Sequence, residues 1–217
     1  VRENYNNRLD TLSADLAEIC RLAEDAMASA TKALLTADLG LAETTISSRE
    51  QIDALAAQWE QNAFSVLALQ SPVALDLRIM VSGIHIVADL QRMGGLAIHI
   101  AELVRRRHPA HVLPAEVEGV FADMGRVAVE QADATREVLL TRDADLASEL
   151  RLKDEAMDEL HRSLFTLTAA PDWPHGVPTA VDVTLLGRFY ERFSDHTVEV
   201  AKRVIFLVTG EFRRDEA

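Results

Sequence analysis

Cysteine, proline and glycine are scarce: the 217 residues include one Cys, 6 Pro and 9 Gly. The lone Cys20 closes no disulfide within the chain and builds no cysteine-based zinc site, so nothing indicates an oxidising compartment. So few backbone breakers leave room for long uninterrupted elements. Positive charge is short as well. Against 35 Asp and Glu stand 22 Lys and Arg, a net charge of −13. That balance argues against coating nucleic-acid phosphates or anionic lipid. Long apolar runs are missing, and stretches such as Val204–Val208 fall far short of the ~20 residues a membrane helix needs. The opening Val1-Arg2-Glu3-Asn4-Tyr5 lacks the apolar core of a signal peptide. These absences predict a soluble cytoplasmic protein. What is abundant is hydrophobic sequence, 48% of the chain, which is too much for a disordered tail. The length suits one large domain or two small ones.

The breakers fall at few places. They are Asp38-Leu39-Gly40, Pro72, the Pro109–Pro114 stretch, Asp143-Ala144-Asp145, and the cluster Pro171, Pro174, Gly176 and Pro178. They cut the chain into six segments that read as helices. In the first, Leu9, Leu12, Leu16, Ile19, Ala23, Ala26, Ala30 and Ala33 recur at alternating three- and four-residue steps, a single apolar stripe close to a bundle seam. Strand-type alternation is nearly absent. Helices of roughly 25–35 residues exceed the usual ~11–12 and normally lie side by side in bundles.

Shifted by 105 positions, the chain partly matches itself. Arg21, Leu34, Leu35, Thr36, Asp38 and Leu41 meet Arg126, Leu139, Leu140, Thr141, Asp143 and Leu146, and the register continues with Glu50 and Asp53 against Glu155 and Asp158. Further on the offset becomes 100, where Val81, Arg92, Ala101 and Val104 meet Val181, Arg192, Ala201 and Val204. Heptads align with heptads by chance, but chance accounts poorly for the coincident Thr-x-Asp breaks and matched arginines. The reading is an all-α fold of two tandem three-helix bundles related by an internal repeat. The first occupies residues 1–108, the second 114–217, and 109–113 connect them.

Catalytic signatures are lacking. There is no Gly-x-Ser-x-Gly, no Walker loop and no Rossmann fingerprint. Cys20 sits on the apolar stripe and reads as core. A dimetal carboxylate bundle needs Glu-x-x-His on two helices. The chain has none, and Asp158-x-x-His161 is the nearest substitute. His108, His111 and His175 fall in connections and read as solvated. His85 and His99, two heptads apart, read as core or interface residues rather than ligands. The most suggestive stretch is Leu185-Leu186-Gly187-Arg188-Phe189-Tyr190-Glu191-Arg192-Phe193-Ser194-Asp195-His196. Glu191 and Asp195 are one helical turn apart and repel weakly; a hard cation between them removes that cost. Arg188, Arg192, Glu199 and Lys202 surround the pair, so spacing alone equally fits a solvated face laced with weak ion pairs.

At this motif the sequence resembles the PhoU family of phosphate-transport and phosphate-signalling regulators. The resemblance rests on Glu191-Arg192-Phe193-Ser194-Asp195-His196, the start Arg2-x-x-Tyr5-x-x-x-Leu9-x-x-Leu12, the opening Asp76-Leu77-Arg78 of the third helix, and the duplication. It implies a cytoplasmic adaptor, not an enzyme. Such a protein stands between a phosphate ABC transporter, through its ATPase, and a phosphate-sensing histidine kinase, and restrains the phosphate-starvation response. A metal-dependent bundle enzyme and a plain helical scaffold are the alternatives. The resemblance also implies a divalent or iron-type metal ion on Glu191 and Asp195, and a homodimer. Glu155 and Asp158 on the preceding helix are either further donors or ordinary surface acids. Asp76, Arg78, Arg92 and Arg192 are expected to contact partners or support the motif. The first-repeat motif departs from the pattern: in Asp89-Leu90-Gln91-Arg92-Met93-Gly94-Gly95, Gln91 and Gly95 replace the expected acids. A first metal site is therefore expected to be lost or feeble.

Overall fold

A computed structural model describes the backbone of residues 2–152 and 155–211, and side chains over 11–150 and 155–211. The described residues form eight α-helices and no strand: α1 (Arg2–Thr36), α2 (Leu39–Ser47), α3 (Arg49–Gln70), α4 (Ala74–Arg107), α5 (Ala115–Thr141), α6 (Ala144–Leu152), α7 (Glu155–Thr168) and α8 (Gly176–Thr209). Two of the five sequence breaks, Pro72 and Pro109–Pro114, fall between these helices, and Asp38-Leu39-Gly40 and Asp143-Ala144-Asp145 run from a connection into the start of α2 and α6. The fifth cluster ends inside α8, where Gly176 and Pro178 occupy the first turn, the place where a proline costs a helix least.

The middle helix of the first half differs from expectation, being in two pieces, α2 and α3. The cause is local. Ser48 keeps helical dihedrals, its N–H is shared between the carbonyls of Thr44 and Thr45, and its hydroxyl donates to Thr45 O at 2.7 Å. Thr44, Thr45 and Ser47 also donate back along the helix, to Gly40, Leu41 and Glu43. Such back-bonding competes with the helical ladder and bends it. Residues 153 and 154, at the matching place in the second half, lie outside the described residues.

The two halves repeat in detail. Ala37 and Arg142, 105 apart, both adopt left-handed backbone at φ 50 and 54. Each is followed by an aspartate whose Oδ1 accepts a backbone N–H three residues on: Leu41 N to Asp38 at 2.9 Å, and Leu146 N to Asp143 at 3.1 Å. These side chains satisfy donors that a helix start otherwise leaves orphaned. Along α4 and α8, at offset 100, burial alternates in step. Ile86, Leu90, Met93, Ile100, Ala101 and Val104 are buried, and so are Leu186, Tyr190, Phe193, Val200, Ala201 and Val204.

One continuous apolar core runs through both halves. The halves meet along two antiparallel seams. Helix α1 runs against α5: the Cys20 thiol donates to Ala132 O at 3.4 Å, and Arg142 donates to Ser13 Oγ at 2.6 Å. Helix α4 runs against α8: Arg107 donates to Asp182 at 2.7 Å, and His196 meets Asp89 at 3.0 Å. Close approach is enabled by glycine. A Cβ on Gly125 would lie 2.4 Å from Thr31 Cγ2 across the first seam, and one on Gly83 would lie 2.4 Å from the Trp59 ring. Cys20 is fully buried, as its place on the stripe predicts, and burial pushes its thiol far above the ordinary range, so it is an inert core group.

Helix α8 ends at Gly210, whose φ of 77 favours glycine. The Arg78 guanidinium closes over the same spot, with Nη1 1.9 Å from where a Cβ would stand. Gly210→Ala is therefore expected to cost about 1–3 kcal/mol, from the left-handed backbone and the displaced arginine together. Thermal unfolding would register the loss, and an unchanged midpoint would refute the packing of Arg78 against this turn.

Candidate functional site

Of the second-half motif, Glu191 and Asp195 sit on the side of α8 that faces α7. Helix α7 reaches α8 closely at Gly187, where a Cβ would lie 2.9 Å from Leu164 Cδ1 and 3.1 Å from His161 Cδ2. That approach places Asp158 and His161 beside Glu191 and Asp195. The charge of Asp158 acts on Glu191, and the charges of Asp158 and Asp195 both act on His161. Burial pushes the Glu191 carboxyl above its usual range, the Asp195 charge adds to this, and Arg188 opposes it. Arg188 Nη1 donates to both Glu191 oxygens. Burial also lowers the basicity of the His161 imidazole, with help from Arg188, and its Nε2 is buried without a hydrogen-bond partner.

Glu155 is placed differently. It lines a cavity of about 530 Å³ on the α5 side of α7, with Arg126, Gln131 and Glu159. Among the described residues no three His, Cys, Asp or Glu side chains converge as a metal cage. The donors nonetheless suit one kind of occupant. Two carboxylates one turn apart are hard oxygen ligands, and magnesium is commonly held by one or two carboxylates with water completing its shell. Hard oxygen donors of this kind suit a divalent ion whose shell water completes.

At the first-half counterpart Gln91 and Gly95 stand in place of the paired acids, Asp53 remains, and the residues line a basic pocket of about 380 Å³. Arg49, Asp53, Gln91, Arg92, Arg192 and His196 line it. Asp53 accepts from Arg49 Nε at 3.1 Å and from Gln91 Nε2 at 3.2 Å. Position 95 has no side chain, and Arg49 Nη1 stands 3.3 Å from where its Cβ would be. The expected loss of the first acidic motif is thus visible as a change of sign.

The remaining candidates are scattered. Asp76 lies in the first turn of α4, where a carboxylate complements the helix dipole. Arg78 packs on the end of α8. Arg92 and Arg192 are brought together at the basic pocket. His85 and His99 lie on the exposed side of α4 rather than in the core, because the burial stripe passes through Ile86 and Ile100 beside them. His99 meets Glu102 at 3.1 Å and stacks near Phe189. His175, in the connection before α8, is half-buried and meets Glu116 at 3.1 Å. Sequence reasoning missed Arg49. The signal was available: at offset 105 it falls opposite Asp154.

Comparison with known proteins places this architecture. The PhoU domain matches the chain twice, over residues 16–104 and 121–204. The phosphate-specific transport system accessory protein PhoU homolog 1 of Mycobacterium leprae is 56% identical over 216 residues, covering 100% of this chain and 97% of that protein. PhoU homolog 2 of Mycobacterium tuberculosis is 57% identical over 212 residues, covering 98% and 100%. The crystal structure of PhoU from Pseudomonas aeruginosa superposes with a TM-score of 0.84 at 25% identity, covering 95% of this chain and all of that one. The regulatory protein PhoU from Streptococcus pneumoniae shares the fold at a TM-score of 0.87 and 22% identity, covering 97% and 99%. Its relatives are accessory and regulatory proteins of phosphate transport. A twofold domain match, a duplicated helical core and relatives matched end to end lead to one conclusion: the chain belongs to the PhoU family.

Proposed function

We propose that this phosphate-transport accessory protein acts as a cytoplasmic adaptor between the ATPase of a phosphate ABC transporter and a phosphate-sensing histidine kinase, and that it restrains the starvation response. The observation that carries the proposal is exposed apolar surface at one end of each half. Around the α3–α4 connection, Leu69 and Val73 are 73% and 74% exposed, with Phe64, Leu75, Leu77 and Val81 also in solvent. The second half exposes Phe165, Leu167, Val177, Val181 and Leu185 around its α7–α8 connection. Large apolar side chains gathered in this way mark protein contact surfaces. No described helix is long and apolar enough to cross a membrane. In this reading the protein works by binding and not by catalysis, and a homodimer occupies one of the two apolar ends. Capture of the transporter ATPase and the sensor kinase from cells grown at high and low phosphate tests it. Leu69→Ser with Val73→Ser is expected to reduce capture of one partner at least tenfold while leaving the helical spectrum unchanged. Undiminished capture would remove this surface from the adaptor reading.

A hydrated divalent cation on Glu191 and Asp195 belongs to the same proposal. The cation neutralises two carboxylates whose charges oppose each other, and Arg188 must leave Glu191 to admit it. The raised pKa of Glu191 sets the sign of its effect on stability. Folding disfavours the charged form, so this carboxylate weakens the fold once pH exceeds its unfolded value, and protonation relieves the cost as pH falls. In a chelator, Glu191→Gln is expected to melt no lower than the unaltered protein at neutral pH. With millimolar magnesium the unaltered protein should gain stability and the variant should not. Equal gains in both would take Glu191 out of the cation seat.

A further inference from the structure

We propose that the basic pocket of the first half is a binding site for a phosphate group. In the second half Asp158, Glu191 and Asp195 form the acidic seat. Their repeat counterparts are Asp53, Gln91 and Gly95, and Arg49 stands among these. Three acids become one, and a permanent base arrives beside it. All four first-half residues line one pocket, so the change is clustered in space.

The surrounding cations reinforce the change. Arg92 on α4 and Arg192 on α8 are repeat equivalents, and the antiparallel crossing of these helices brings both to the same pocket. Among the described residues neither makes an ion pair or a side-chain hydrogen bond. The single carboxylate in the pocket, Asp53, is already held by Arg49 and Gln91. His196 is occupied by Asp89, and His99 by Glu102. The net charge of −13 does not decide the matter, because exposed charges beyond about 10 Å are largely screened in physiological salt.

Two uncommitted guanidiniums and a third shared one match a ligand of nearly two negative charges. A phosphate group carries about −1.5 to −2 at neutral pH and presents several acceptor oxygens, and the planar fork of arginine bonds such oxygens in pairs. A volume of about 380 Å³ also admits waters or a small organic part beyond the phosphate. Small size at position 95 is essential to the site, since an acid there would meet Arg49 and quench it.

Calorimetric titration of the full chain in phosphate-free buffer tests the site, with inorganic phosphate in one arm and glycerol phosphate in the other. Saturable binding in at least one arm is expected, and the tighter arm identifies a free ion or a phosphorylated molecule as the source. Arg92→Gln and Arg192→Gln, both at exposed positions, should each weaken it about tenfold or more. The pair Gln91→Glu with Gly95→Asp, which restores the acids of the other half, should abolish it. Arg126→Gln, at a surface pair remote from the pocket, serves as control and should bind as the unaltered protein does. No saturable binding in either arm, or binding indifferent to the Arg92 and Arg192 changes, overturns the assignment. Occupancy here is independent of whether the protein bridges a transporter and a kinase, so either reading can fail alone.

Discussion

Trp59→Ala is expected to lower stability by about 3–5 kcal/mol, the range for removing a large buried aromatic. Trp59 is 1% exposed and is the largest fully buried side chain among the described residues. Two interactions vanish with it. Its ring fills the space that Gly83 leaves open on α4. Its Nε1 donates to Leu12 O at 2.8 Å, so the ring also ties α3 to α1. Its removal leaves a void where α1, α3 and α4 meet, and the three helices are too long and too widely anchored to collapse into it. Denaturant unfolding followed by circular dichroism measures the loss. A change under about 1 kcal/mol would mean that the first half relaxes freely around this position, contrary to its close packing. Trp59→Phe should recover part of the loss, because the ring volume returns without the hydrogen bond.

The second large effect lies on the seam between halves. Gly125→Val is expected to cost at least 1–3 kcal/mol, the usual penalty for overpacking a well-filled contact. Even a single added carbon would meet Thr31 at 2.4 Å from Cγ2 and 2.8 Å from Oγ1. Thr31 has little freedom to retreat. Its hydroxyl donates to Met27 O at 2.9 Å and lies 2.8 Å from the Tyr190 hydroxyl, which is wholly buried and has no water to turn to. Forcing Thr31 aside therefore orphans a buried phenol as well, adding the penalty of an unsatisfied polar group. Burial already holds the Tyr190 hydroxyl far above its ordinary acidity range, so it stays protonated as a donor at every accessible pH. The double change Gly125→Ala with Thr31→Ser should be milder than Gly125→Ala alone, since it removes the methyl that the new carbon meets. If the two were equal, the seam would be looser than the placement of Thr31 implies.

The fold was legible because its signals were of the kind a sequence carries best. The stripe from Leu12 to Ala33 on α1 is buried as its period requires. The Thr-x-Asp breaks end one helix and start the next by the same aspartate geometry in both halves. The split of the middle helix was not legible. Thr44, Thr45, Ser47 and Ser48 read as ordinary helix residues until their hydroxyls are seen to bond backward. The candidate site was half legible. Spacing put Glu191 and Asp195 on one face, and the repeat exposed the loss at Gln91 and Gly95. Spacing within one helix says nothing of what another helix brings. Hence the arrival of Arg49 beside Gly95 was not foreseen, whereas Arg188 on Glu191, three residues apart on one helix, is an ion pair that spacing allows. His161 was dismissed as half of an incomplete motif, yet its buried nitrogen faces the acidic side of α8 from α7.

The antiparallel crossing of α4 and α8 sets the two seats back to back, with Asp89–His196 and Arg107–Asp182 stitched between them. Had two separate half-length chains met in this way, every substitution would have struck both seats at once, and an acidic seat could not have turned basic without its twin doing the same. Covalent fusion lifts that tie. One copy is free to keep its affinity for cations while its sibling drifts toward the opposite sign, and a rigid shared interior then holds the two specialised ends at a fixed separation.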